Sequence, residues 1–220
     1  MASEYLMKKY KDVKPDEPKE LTPKEKRANW WHYHRIHFVI AGILILAAIG
    51  FVKDVFMKTE PDYQIGYFSD IYMETEVELA VEERLAQLGE DLNGDGKVVV
   101  QLNSYVINEA DPTSYTVQVS MVGDMSVGVS DYYLVTDPVT FQDDYGVLTM
   151  SDGSIFDVGM DPNLCVRYDV KDCAVFDDLD FGQDLYLTRR QFTKEDDIEA
   201  HAGAAGLWDA MTAGASPVTD

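Results

Sequence analysis

The sequence predicts an α/β protein in two parts: a single N-terminal transmembrane helix followed by a mainly parallel α/β sandwich ectodomain. Three observations predict it. Residues 36–52, from Ile36 to Val52, form an apolar run whose only polar residue is His37. Residues 62–107 read strand, helix, strand, which implies a parallel pair. The alternation continues to Phe141, and irregular Asp- and Gly-rich pieces come after it.

Residues 1–21 are mostly Lys, Glu, Asp and Pro and are expected to be a disordered cytoplasmic tail. Thr22-Pro23 supplies the N-cap and first position of a helix. That helix should run unbroken past Trp30 and Trp31 into the span, so that residues 22–57 form one juxtamembrane and transmembrane unit. The run 36–52 reaches about 25 Å as a helix, a little short of a ~30 Å hydrocarbon core. Val55, Phe56 and Met57 extend its apolar surface, and Lys53 can snorkel to the interface. The triplet Ala48-Ile49-Gly50 would suit a signal peptidase. The long charged segment before the run, and the apolar residues after the triplet, favour an uncleaved anchor instead.

Charge sets the expected orientation. Residues 1–35 hold nine Lys/Arg and six Asp/Glu, a net +3. The whole chain is −22, so the remainder carries −25. Lys24, Lys26, Arg27 and Arg35 beside the span place the N-terminus in the cytoplasm and the C-terminal domain outside it. Trp30, Trp31 and Tyr33 read as an interfacial aromatic belt. His32, His34 and His37 do not share one helix face, so they read as interfacial residues and not as metal ligands. A domain this acidic repels phosphate, which excludes nucleic acid as a partner.

After a linker at 58–61, the acidic α/β domain is expected over 62–213. Asp62 to Ser69 is a β-rich run. Residues 74–89 place Val77, Val81, Leu85 and Leu88 on one helical face, with Gly89 as a stop. Residues 98–107 form the second strand. Asp111-Pro112 caps a helix carrying Val117, Met121, Val122 and Met125 at helical spacing, although Tyr115, Thr116 and Val117 favour strand. Asp131 to Thr136 is the third strand, and Asp137-Pro138 opens a short helical turn. Short strands are expected near 164–168 and 173–176, and a longer one at 185–189. Thr193 should cap a last helix that buries Ile198, Ala202, Ala205, Trp208 and Met211, with Glu195, Asp196 and Asp197 suiting its dipole. Residues 214–220 are expected to be a C-terminal tail.

Catalytic signatures are absent from the sequence: there is no G-x-S-x-G, H-E-x-x-H, P-loop or dinucleotide fingerprint. His201 is the only histidine after the span, and it is expected to be solvated or capping. Paired acids such as Asp143-Asp144 and Asp177-Asp178 follow from composition, so they nominate no hydrolase pair. Arg189-Arg190 reads as a surface pair. Cys165 and Cys173, eight residues apart, allow a disulfide across a short hairpin or two buried free thiols. They are too few for a zinc site. If a ligand site exists, the carboxyl ends of the strands should carry it, at Ser69, Asp70, Tyr72, Thr136 and Asp137.

Three resemblances follow from particular residues. The Lys-rich tail ending in Trp30-Trp31-His32-Tyr33-His34, the span, and the start Asp62-Tyr63-Gln64-Ile65-Gly66-Tyr67 resemble single-pass, membrane-anchored exported proteins of Gram-positive anaerobes. The order of elements, with the run Val129 to Leu134, is similar to one lobe of extracellular solute-binding proteins. About 160 residues is too short for two lobes, so that likeness implies a fold more than a cleft. Asp91-Leu92-Asn93-Gly94-Asp95-Gly96-Lys97-Val98 resembles the first eight positions of an EF-hand or dockerin calcium loop. The resemblance implies calcium oxygens from Asp91, Asn93 and Asp95 and from the Lys97 carbonyl. Leu102 stands where the bidentate acid belongs. The sequence therefore points to a non-enzymatic extracytoplasmic domain that binds a protein partner or organises an envelope complex. A single-lobe solute-sensing module stabilised by calcium is the alternative.

Overall fold

Residues 22–56, 60–108 and 110–218 are described by a computed structural model. The expected tail at 1–21, and Met57, Lys58 and Thr59, lie outside the described residues. The chain divides into two compact units at residues 58 and 59.

The first unit is one helix, α1 (Pro23–Phe56). Thr22 and Glu25 start it with a reciprocal capping box. The Thr22 amide donates to Glu25 Oε2 at 2.8 Å, and the Glu25 amide donates to Thr22 Oγ1 at 3.4 Å. The helix passes Trp30 and Trp31 without a break, as expected. It is long and apolar enough to cross a membrane, its most apolar 18-residue window having mean hydropathy 1.9.

The second unit is built on a five-stranded sheet of order β2-β1-β3-β5-β4. Its strands are β1 (Tyr63–Ser69), β2 (Val100–Val106), β3 (Tyr132–Val135), β4 (Arg167–Asp169) and β5 (Tyr186–Arg189). β1 pairs in parallel with β2 and β3, whereas β5 pairs antiparallel with both β3 and β4. The mainly parallel sheet expected from the sequence is thus a mixed one. The chain leaves β3 through a long irregular segment to β4, which runs in the same direction as β3, and then turns back along β5, the strand of this sheet that opposes the other four.

Helices cover both faces. α2 (Thr75–Ala86) lies between β1 and β2 in the chain, and α3 (Ser114–Val127) lies between β2 and β3. The two crossovers run in opposite directions along the sheet, so crossovers of one hand must place their helices on opposite faces. On one face Tyr63, Ile65, Tyr67, Tyr132 and Leu134 pack with Val81 and Leu85 of α2. On the other Tyr133 and Val135 pack with Met121 and Met125 of α3 and with Phe141 of α4 (Pro138–Tyr145). Alternate residues of β1 and β3 divide between these two cores, as the period of two requires. Gly66 is needed for this packing, because a Cβ there would sit 2.6 Å from the Tyr133 ring.

Several local expectations are corrected. Residues 174–176 form a 3₁₀ turn and not a strand, and another such turn, Pro162–Leu164, precedes β4. Cys165 and Cys173 are free buried thiols, one in each core, so the hairpin bridge does not form. The last helix breaks into α5 (Glu195–Ala200), a 3₁₀ turn at Ala202–Ala204, and α6 (Ala205–Met211). Lys194, not Thr193, stands at the start of α5. Ile198 and Ala202 are exposed, while Ala204, Leu207, Trp208 and Met211 carry the burial. Leu88 is also exposed. The segment after α6 is tied down through residue 218: the Val218 amide donates to the Arg167 carbonyl at 2.8 Å, and Ala215 packs on the core.

Candidate functional site

The carboxyl end of the sheet, where an open α/β fold ordinarily takes its ligand, is closed by the protein's own side chains. Gln183 Nε2 donates to Ser69 Oγ at 2.7 Å and to the Tyr67 hydroxyl at 2.6 Å. Tyr67 in turn donates to the Ile71 carbonyl. Ser69 is therefore a buried structural hydroxyl. Asp137 caps α4, accepting from the Val139 and Thr140 amides. Those bonds hold its carboxyl below the usual range. Asp70 and Tyr72 are exposed, and Thr136 is half-buried. The five residues nominated from topology do not converge on one cleft.

A cleft does exist at the opposite, amino-terminal end of β1 and β3. It encloses about 250 Å³, and its walls include Asp62, Gln64, Asn93, Asp131 and His201. At its floor His201 Nδ1 lies 2.6 Å from Asp131 Oδ1. β3 sets Asp131, whose amide donates to the Gln64 carbonyl and whose carbonyl accepts from the Arg190 amide. The break after α5 sets His201. Its ring stacks on Phe192 at 4.1 Å between centroids. Gly128 ends α3 at φ 73°, and a side chain there would press on Phe192 at 3.3 Å. Burial pushes the Asp131 carboxyl above its ordinary pKa, against the pull of His201, Arg189 and Arg190.

Arg190 is not a surface residue in the ordinary sense. Nη1 donates to the Tyr133 hydroxyl at 3.0 Å and Nη2 to the Met125 carbonyl at 2.6 Å. The guanidinium also lies 5.3 Å from the Phe192 ring. It locks α3 to the strand beside the Asp131–His201 pair.

Asp62 organises the other wall. It accepts from the Leu92 and Asn93 amides through Oδ1 and from the Val99 amide through Oδ2, all within 3.0 Å. Burial raises its pKa, and these three bonds outweigh that and leave it lowered. The segment 91–97 is a chain of side-chain turns. Asp91 accepts from the Gly94 and Gly96 amides, Asn93 from Asp95, and Asp95 from Lys97. Leu102 is buried in the core, and among the described residues no three His, Cys, Asp or Glu groups gather as a metal set. The loop therefore lacks the bidentate acid that calcium would need at that position.

One surface stands apart. α3 contains a single charged residue in fourteen, Asp124, and its carboxylate accepts from the Tyr105 hydroxyl at 2.7 Å. Tyr115, Val119 and Val122, at helical spacing, are 75%, 54% and 47% exposed. Of the tyrosines at 63–72 and 132–133, Tyr63, Tyr67, Tyr132 and Tyr133 are buried, and Tyr72 is exposed.

The Asp131–His201 pair was missed by sequence reasoning because its members lie 70 residues apart. One signal was available: an Ala-His-Ala-Gly sequence at 200–203, poor for continuing an amphipathic helix. No protein-family model, curated protein or solved structure matches this chain.

Proposed function

We propose that this chain is a non-enzymatic, membrane-anchored domain that docks a protein partner through α3 and so helps to organise an envelope complex. The basic residues before the apolar helix support a cytoplasmic N-terminus and an extracytoplasmic second unit. The observation that carries the docking reading is the α3 face. In a part of the chain with a net charge near −25, one helix turns its only charge inward and presents Tyr115, Val119 and Val122 to solvent. An apolar helix face without a neighbour marks an interaction site. The partner surface it fits is uncharged and apolar, because a charged one would lose solvation without gaining a counter-charge.

A photoreactive amino acid placed at Val119 or Val122 in cells tests this. The expected result is a discrete protein adduct that is absent when the probe sits at exposed Glu83 and is lost with Tyr115→Lys. Lipid adducts alone, or the same adducts from all three positions, would overturn it. A second reading, a solute-sensing module, is favoured by the cleft beside Asp131 and His201.

A further inference from the structure

The cleft between the amino ends of β1 and β3 has an acid at its floor that the fold only half satisfies. Asp131 is 7% exposed and lines the cavity. Its Oδ1 meets His201, while its Oδ2 accepts no hydrogen bond from any described residue. The Asp62 carboxylate faces the same space, with its oxygens already turned to backbone amides. Gln64 and Asn93 add side-chain amides, and no Lys or Arg is among the lining residues. Arg189 and Arg190 act on Asp131 only from the strand behind it.

We infer that this cleft binds a small organic cation bearing N–H donors, an ammonium or guanidinium group that donates to Asp131 Oδ2. This oxygen opens on the cavity, and an N–H cation seated there would give it a charge-assisted hydrogen bond in place of water. A cavity of about 250 Å³ falls just below the ~300–1,000 Å³ of drug-sized sites, which limits the ligand to a small molecule or a single terminal group. The net charge of −22 concentrates cations around the protein. The inference rests on the solute-sensing reading, whose ligand class it names, and it does not depend on α3.

The test is titration calorimetry of the full chain in detergent micelles. The probes are methylammonium, guanidinium and 1,4-diaminobutane. Tetramethylammonium, acetate, glycerol and glucose are the comparisons. Saturable binding of the N–H cations is expected, with tetramethylammonium at least about tenfold weaker. Asp131→Asn should abolish binding. Ala200→Phe, at an exposed lining position, should block the mouth without touching the buried pair. Equal heats from tetramethylammonium, or binding that survives Ala200→Phe, would show general screening of an acidic chain and overturn the proposal. Binding of glycerol or glucose, blocked by Ala200→Phe and without any cation response, would sustain the solute reading and sink the cation. No binding by any probe would sink both.

Discussion

His201→Ala probes the Asp131–His201 pair directly. In the parent protein the two side chains are 27% and 10% exposed and share a 2.6 Å contact. Removing the ring strips Asp131 of the one side chain that hydrogen-bonds to it among the described residues. Leaving a buried carboxylate without its hydrogen-bond donor costs about 1–3 kcal/mol, and more where the group is charged, so a loss of about 3 kcal/mol is expected. In a domain of this size that is a fall of about 6–12 °C in melting temperature, read by near-ultraviolet circular dichroism of the full chain in micelles. The loss should depend on pH with a definite sign. Burial raises the folded pKa of Asp131 above its unfolded value. Its favourable contribution is therefore complete below the unfolded pKa and is lost as pH rises through the folded one. The deficit of His201→Ala should accordingly narrow as the solution is acidified from neutrality. Adding Asp131→Asn should recover most of it, because an uncharged amide needs no counter-charge. A melting temperature within a degree or so of the parent's, or strict additivity in the double variant, would refute the reasoning.

Three further outcomes follow from single contacts. Gly66→Ala should destabilise by about 1–3 kcal/mol in urea unfolding, since its Cβ would meet the Tyr133 ring at 2.6 Å with a core on either side. Asp62→Asn replaces the oxygen that accepts from Val99 with a donor and should cost about 1–3 kcal/mol. The Asp62 pKa is lowered on folding, so its contribution is present above the unfolded pKa and lost as pH falls through the folded one. The difference between variant and parent should therefore shrink in acid. Cys165 and Cys173 should resist alkylation in the native protein and take up two equivalents in denaturant without a reductant, as counted by mass spectrometry. Burial raises both thiols, Cys173 to about 11. Failure to label without a reductant would indicate a disulfide.

The part of the fold legible in the sequence is the part made by local pattern. Thr22-Pro23, the apolar run, the 3.6-residue spacing of Val81 and Leu85, and Asp137-Pro138 each specify their element within a few residues. β1, β2, β3 and β5 announce themselves as short apolar runs. The sheet's mixed direction was not legible, because strand direction depends on how the segment from 146 to 185 travels, and that segment has no period. The helix at 114–127 was legible only through its place between strands. Asp111 contributes an Asx turn to Thr113 at 2.8 Å and leaves the cap position to Thr113 itself. The expected binding residues failed for a different reason. The rule placing ligands at strand carboxyl ends assumes that this end stays open, and Gln183, more than a hundred residues from Ser69, closes it.

The break at His201 shows how the amino-terminal cleft is built. A continuous helix from 195 to 211 would carry the ring wherever its register put it. Stopping α5 at Ala200 and restarting through a 3₁₀ turn frees His201 to meet Asp131, and the Tyr132 hydroxyl donates to the Ala204 carbonyl of that same turn. Consecutive residues at the start of β3 therefore hold the break from both sides: Asp131, just before the strand, takes the ring, and Tyr132, its first residue, takes the backbone. Across the cleft, Asp62 gathers the amides of Leu92, Asn93 and Val99 just before β1 begins. Both walls are irregular backbone fixed by a carboxylate at the start of a buried strand. Such walls keep their shape only while those carboxylates are satisfied. Asp62 is satisfied by the protein alone, whereas Asp131 retains an oxygen facing the cavity. That asymmetry is the physical reason to look for a donor that the chain itself does not supply.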